Sequence, residues 1–192
     1  MDGLTIDRVA PSNAAESELV ERVATLINAA YIAAEHGLWH IPVGRTHADE
    51  VREWIAAARL VAAWVDGTVV GSVTSHLIDP VTGWFGALAV DLSWTGRGIA
   101  SGLVRHAERE AAAAGAVSMQ LELLQPEPPH GHQERLRTWY SAIGYRPTGR
   151  LELAEIDANA VDHARFPLHA VVMRKALTGA SVVGDGGAGG RT

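Results

Sequence analysis

Leu88-Ala89-Val90-Asp91-Leu92-Ser93-Trp94-Thr95-Gly96-Arg97-Gly98-Ile99-Ala100 runs from a strand, through a glycine-bearing turn, directly into a helix. Free backbone N–H groups at a helix start, reinforced by the helix dipole, form a site for phosphate oxygens. Gly96 and Gly98 let such a ligand approach without a Cβ in the way, and Ala100 keeps the first turn small. Ser101 adds a hydroxyl, and Arg97 a charge to set against a pyrophosphate.

Working outward towards the N-terminus, residues 84–90 form the strand that feeds this turn, after a Pro80-Val81-Thr82-Gly83 turn. Residues 60–65 and 68–78 are apolar, β-branched runs separated by Asp66-Gly67, the signature of a tight antiparallel hairpin. Residues 4–9 alternate as a short first strand. Asn13 with Glu16 reads as a capping box ahead of Leu19, Val23, Leu26, Ile27 and Ala30 at helical spacing, and that helix stops near Gly37. A loop over 38–44 follows. Thr46 with Asp49 reads as the cap of a second helix ending near Arg59.

Towards the C-terminus, residues 98–114 make an alanine-rich helix closed by Gly115, and the weakly polar run 117–124 reads as a central strand. Residues 125–131 contain three prolines and read as loop, 133–143 as helix, and 150–156 and 168–175 as the last strands. From Thr178 onward, Gly, Ala, Ser and Val dominate, so 1–177 is expected to be one domain and 178–192 a disordered tail. The order of elements gives an α/β fold with a mixed sheet, hairpins first and a strand–helix–strand crossover in the middle.

The chain has 192 residues, 47% hydrophobic and 20% charged, an ordinary globular balance. The net charge of −6 leaves no basic surface for nucleic acid and mildly favours a cationic substrate. No apolar run is long enough to cross a membrane, and Met1-Asp2-Gly3 does not open a signal peptide. The absence of cysteine excludes disulfides and thiolate nucleophiles and accords with a cytoplasmic location. His130 and His132 have no third ligand at zinc-like spacing, so no metal is expected.

The turn resembles the signature of the GNAT superfamily of N-acetyltransferases: Arg or Gln, two residues, Gly, one residue, then Gly or Ala, between the fourth strand and the third helix. Thr95, Gly98 and Ala100 stand at those places; Gly98 and Ala100 match, and Thr95 departs. A second match is Trp139-Tyr140-Ser141-Ala142-Ile143-Gly144-Tyr145, with Tyr140 followed by Gly144 and an aromatic residue. The resemblance spans residues 4–175 and implies a mostly antiparallel sheet, flanked by helices, whose fourth and fifth strands splay around the cofactor.

The resemblance implies acetyl-CoA as co-substrate and a small-molecule amine as acceptor, with direct attack of the amine on the thioester. The pyrophosphate would lie on the backbone of Arg97, Gly98, Ile99, Ala100 and Ser101, with Thr95 and Gly96 also touching the cofactor, and the pantetheine along Leu88, Ala89 and Val90. Gln133 would add a contact at the start of the last long helix. A backbone N–H of Ala89, or of its neighbours Leu88 and Val90, would hold the oxyanion, and Tyr140 would protonate the departing thiolate. Glu122 is a candidate catalytic carboxylate for taking the amine's proton, and His76, His130, His132 and water are equal alternatives. Tyr31, Glu35, Trp39, His40 and Trp84 are expected to shape the acceptor site. A homodimer is compatible with the family's habit.

Two other functions fit parts of the pattern. Gly96, Gly98 and Ser101 partly mimic a dinucleotide fingerprint with Glu122 as the ribose acid, but the third glycine is missing and several strands come first. A CoA-binding sensor without catalysis would keep the cradle and dispense with Tyr140.

Overall fold

The structure is a computed structural model describing residues 3–41, 44–129 and 131–177. Among these residues, seven strands form one sheet: β1 (Leu4–Arg8), β2 (Leu60–Val65), β3 (Thr68–Asp79), β4 (Thr82–Val90), β5 (Ser118–Pro126), β6 (Arg146–Glu152) and β7 (Leu168–Ala176). Their order across the sheet is β1-β2-β3-β4-β5-β7-β6. Every neighbouring pair is antiparallel except β4 and β5, which are parallel and joined by α3 (Ile99–Ala113). The expected α/β class, mixed and mostly antiparallel, is therefore the observed one. The expected tail, 178–192, and His130 lie outside the described residues.

The hairpin at Asp66-Gly67 forms as the dipeptide predicts. Asp66 has φ 49° and Gly67 φ 77°, the left-handed pair that matches the twist of the flanking strands. Alternation then divides the side chains between two cores. On β2, Val61, Ala63 and Val65 pack with Leu103, Val104 and Ala107 of α3. Leu60 and Ala62 pack on the other face with Val20, Val23 and Ile27 of α1 (Ser17–Ala34) and with Val51 and Ile55 of α2 (Ala48–Ala56).

The parallel pair controls the site. β4 and β5 are in register only at Thr82↔Ser118, Gly83↔Met119 and Trp84↔Gln120. Beyond that point they continue to Val90 and Pro126 without pairing with each other. Gly83 sits at the joined end, where a Cβ would lie 2.6 Å from Met119 Sδ and 2.7 Å from Ala111 Cβ. Gly83→Ala should therefore force β4 away from α3 and β5, costing about 1–3 kcal/mol, or roughly 2–10 °C in Tm by calorimetry. An unchanged Tm would mean the joined end is looser than these distances require.

Four local readings are corrected. Asn13 and Glu16 do not form a capping box: Asn13 Nδ2 donates to Glu16 Oε1 at 2.7 Å, within a 3-10 turn opened by Pro11, and α1 starts at Ser17. The cap of α2 is His47, whose Nδ1 accepts from Glu50 N at 3.2 Å, because Thr46 Oγ1 is turned to the Glu50 carboxylate. Gln125 and Pro126 continue β5 rather than starting a loop, since β7 pairs with them as far as Leu168. Residues 153–156 are not strand. Glu152 N–H donates to Glu155 Oε2 at 2.7 Å in a capping box that turns the chain into α5 (Leu153–Ile156).

Candidate active site

The parting of β4 and β5 opens a cleft of about 550 Å³. From β4 it is lined by Leu88, Ala89 and Val90, and from the turn and α3 by Thr95 and Ala100. Glu122 lines it from β5, and Gln133, Trp139 and Tyr140 line it from α4 (Gly131–Ala142). Tyr31, Glu35 and Trp39 stand at the end nearest α1.

The backbone of β4 is turned within this opening. Ala87 has φ 46°, and the β3–β4 register slips between Ser72 and Thr74. The slip reverses side-chain parity: Phe85 belongs to the α3 core, whereas Ala87, two residues on, belongs to the α1 core. Past this bulge the ladder fixes the amides. Asp91 N–H donates to Val70 O at 2.9 Å, and Ser72 pairs with Ala89. Alternation therefore points Ala89 N–H at β3 and leaves Leu88 and Val90 N–H facing the cleft. Of the three amides expected to serve an oxyanion, the geometry favours these two.

At the cleft's mouth, Asp91 shapes the turn. Its Oδ1 accepts from Ser93 N at 3.0 Å and from Ser93 Oγ at 2.7 Å, while Oδ2 accepts from Arg22 at 2.6 Å. These bonds hold the Asp91 carboxyl below its ordinary range. Gly96 (φ 74°) and Gly98 (φ 79°) are left-handed, and a Cβ on either would meet nothing within 4 Å. Residues 95–98 are exposed. Among the described residues, no protein acceptor takes the N–H groups of 96–101, and the first helical bond there is Gly102 N–H to Gly98 O at 2.9 Å. This is a concave set of unsatisfied donors at a helix N-terminus, which fits a diphosphate. Ile99 contributes backbone only, since its side chain is 1% exposed in the α3 core. The Arg97 guanidinium lies 4.6 Å from the Trp94 ring, beside the cradle. Thr95 Oγ1 donates to Leu92 O at 3.0 Å and so closes the turn.

Tyr140 is buried among Phe85, Trp139 and Tyr145, with ring centroids at 6.1, 4.7 and 5.9 Å. Burial pushes its phenol well above the usual value, with a smaller contribution from Tyr31, so the hydroxyl keeps its proton. Glu122 accepts from the Trp84 indole N–H and from Gln120 Nε2 (2.6 Å), and Gln120 in turn accepts from Arg174 Nε at 2.7 Å. Trp84 lies outside the cleft lining. It packs across Gly86, where a Cβ would meet its ring at 2.2 Å, and makes a tilted contact with the His76 ring at 5.1 Å. It is thus a strut between β4 and β5 where they part, rather than an acceptor wall. Burial, with help from Arg59, lowers the His76 pKa and favours the neutral ring.

At the α1 end, Trp39 Nε1 donates to Glu35 Oε2 at 2.7 Å. Burial raises the Glu35 pKa, an effect that this hydrogen bond partly offsets. His40 does not reach the cleft: its side chain is exposed, and its backbone N–H donates to His163 O at 2.9 Å. With Arg165 N–H to Leu38 O (2.8 Å) and a bridge between Trp39 and Ala164, that bond straps the α1–α2 loop to the β6–β7 connection. The cleft has further lining residues that the sequence did not single out: Arg45, Leu153, Ile156, Asp157 and Ala160. His132 also lines the cleft. Among the described residues, no helix is long and apolar enough to cross a membrane, and no three His, Asp or Glu side chains are grouped to hold a metal.

A model of the acetyltransferase (GNAT) family matches residues 24–130. No curated protein matches the chain in sequence. Among solved structures, an aminoglycoside 6'-N-acetyltransferase complexed with coenzyme A is similar at TM-score 0.68 and 17% identity, covering 91% of this chain and 98% of that one. An N-acetyltransferase from Staphylococcus aureus Mu50 is similar at TM-score 0.63 and 17% identity, with the same coverages, 91% and 98%. YncA from Salmonella typhimurium, solved with acetyl-CoA, is similar at TM-score 0.61 and 15% identity, covering 92% of this chain and 95% of that one. At these identities the likeness is one of fold.

Proposed function

Because the chain belongs to the acetyltransferase (GNAT) family, we propose that it moves an acetyl group from acetyl-CoA to a primary amine of a small molecule. The observation that carries this reading is the row of amides at 96–101 that no described protein acceptor takes, opening onto the cleft where β4 and β5 separate. A diphosphate on those amides leaves its pantetheine arm to run between the strands, where Leu88 and Val90 offer main-chain N–H groups. Phosphate and arm then meet complementary surface in one continuous path.

In the reaction, the amine nitrogen forms a bond to the acetyl carbon, and the C–S bond breaks to release the CoA thiolate. The cleft-facing amides of Leu88 and Val90 take the oxyanion charge that develops between these events. Tyr140 gives its proton to the sulfur. The proton lost by nitrogen goes to Glu122 directly or through water. The two donors already on that carboxylate leave each oxygen a spare lone pair. Attack is direct, because a chain without cysteine has no thiol to carry the acetyl group.

We read residues 1–177 as the catalytic unit, acting in the cytoplasm without metal, and compatible with a homodimer. Acetyl-CoA at 100 times its Kd should stabilise the protein by about 2.7 kcal/mol, and NAD should not. Thermal unfolding with each ligand checks this. An amine panel with acetyl-CoA, followed by free thiol release, checks the transfer. Protection by acetyl-CoA with no amine acetylated would favour a sensor instead, and protection by NAD alone would sink the CoA assignment.

A further inference from the structure

Arg45 is the only Arg or Lys among the described residues that line the cleft. Its backbone is fixed by α1: Asn28 Oδ1 accepts from Arg45 N at 2.7 Å and Thr46 N at 3.0 Å, and Asn28 Nδ2 donates to Thr46 O at 2.9 Å. Its guanidinium lies 5.2 Å from the centre of the Tyr31 ring. Among the described residues, no carboxylate comes within ion-pair distance of it, although Glu35 is near enough to feel its charge. An arginine anchored through its backbone, set beside the Tyr31 ring and not paired with a carboxylate has guanidinium N–H groups to offer an anion in the cleft.

The two acids of that wall are engaged, Glu35 by the Trp39 indole and Asp157 Oδ1 by the Asn159 N–H at 2.9 Å, and much of the remaining lining is apolar: Ala30, Ala34, Trp39, Leu153, Ile156 and Ala160. A polycation would meet Arg45 as a like charge and would have to shed water against the apolar part of that wall. A molecule with one carboxylate, an apolar body and one amine meets complementary chemistry at each point. We propose that the acceptor is a hydrophobic α-amino acid or a close analogue, with its carboxylate on Arg45 and its side chain between Trp39 and the α5 segment. The inference rests on the acetyl-transfer reading above and names the substrate class of that same cleft.

The test compares kcat/KM for L-phenylalanine, phenethylamine, spermidine and kanamycin, with acetyl-CoA and thiol release as the readout. Phenylalanine should exceed phenethylamine by roughly ten-fold or more, the worth of one charge-assisted contact. Arg45→Gln should cut the ratio of the two by about that factor, and Arg45→Lys should restore part of it. Thermal protection by acetyl-CoA reports whether each variant is folded. A ratio that Arg45→Gln leaves unchanged, or a preference for spermidine or kanamycin, overturns the amino-acid assignment and leaves acetyl transfer standing. Thiol release with none of the four, from a protein that binds acetyl-CoA, overturns the amino-acid assignment, and the wider amine panel then decides acetyl transfer itself.

Discussion

Gly98→Val should raise the Kd for acetyl-CoA by about 100-fold or more, while the protein remains folded. Two effects act together. Gly98 sits at φ 79°, ψ 3°, and holding a β-branched residue there costs on the order of 1–2 kcal/mol. That strain is relieved if the turn opens, and opening turns the amides of 96–101 away from a shared focus. Where the turn holds, the new side chain projects into the open space a ligand must enter, since no protein atom lies within 4 Å of a Cβ there. Losing two charge-assisted hydrogen bonds at about 1.5 kcal/mol each gives the stated factor. Calorimetric titration with acetyl-CoA reads the Kd, and circular dichroism reads the fold. A Kd within about three-fold of the parent's would mean the diphosphate is held elsewhere.

The glycine-bearing helix start was legible in sequence because it is local. Strand, glycine-bearing turn and helix are contiguous in the chain, and a helix start needs no tertiary partner to expose its amides. The hairpin at Asp66-Gly67 was legible for the same reason. The bulge at Ala87 was not, because an alanine in left-handed backbone carries no composition signal. That bulge decides which β4 amides face the cleft, so the sequence could only offer Leu88, Ala89 and Val90 as a group. The choice between them follows from the bond of Asp91 to Val70, some twenty residues distant.

The acceptor end was hardest to read because its walls come from three separate stretches of chain. Tyr31, Glu35 and Trp39 were found from one helix and the loop beyond it. Arg45 carries no local signal that would set it apart, and residues 150–156 read as strand. The signal that α5 was there is Glu152 with Glu155 three residues on, a capping pair built from two glutamates rather than from the usual Ser or Thr. His40 shows the converse error: its neighbour Trp39 does line the cleft, but Trp39 is also bridged to Ala164, and the next residue is turned outward. Trp84 and Glu122 were assigned to different roles, yet the structure makes them one unit that props β4 and β5 apart.

Tyr140→Phe should lower kcat by roughly 100-fold and leave the Kd for acetyl-CoA little changed. General acids contribute about 10²–10⁴, and the low end applies here because a thiolate with a conjugate-acid pKa near 8.5 departs with limited help. The raised phenol pKa sets the pH behaviour. An acid whose pKa is pushed up by burial stays protonated as pH rises, so ionisation of Tyr140 should produce no fall in kcat between about pH 7 and 10. The departing sulfur would be held in the same desolvated ring cluster, which raises its basicity too and keeps donor and acceptor matched. Phenylalanine preserves the contacts with Phe85, Trp139 and Tyr145, so a loss of kcat reports the hydroxyl and not the packing. Turnover equal to the parent's across that pH range would remove Tyr140 from the chemistry and leave it as one more ring in the α3 core.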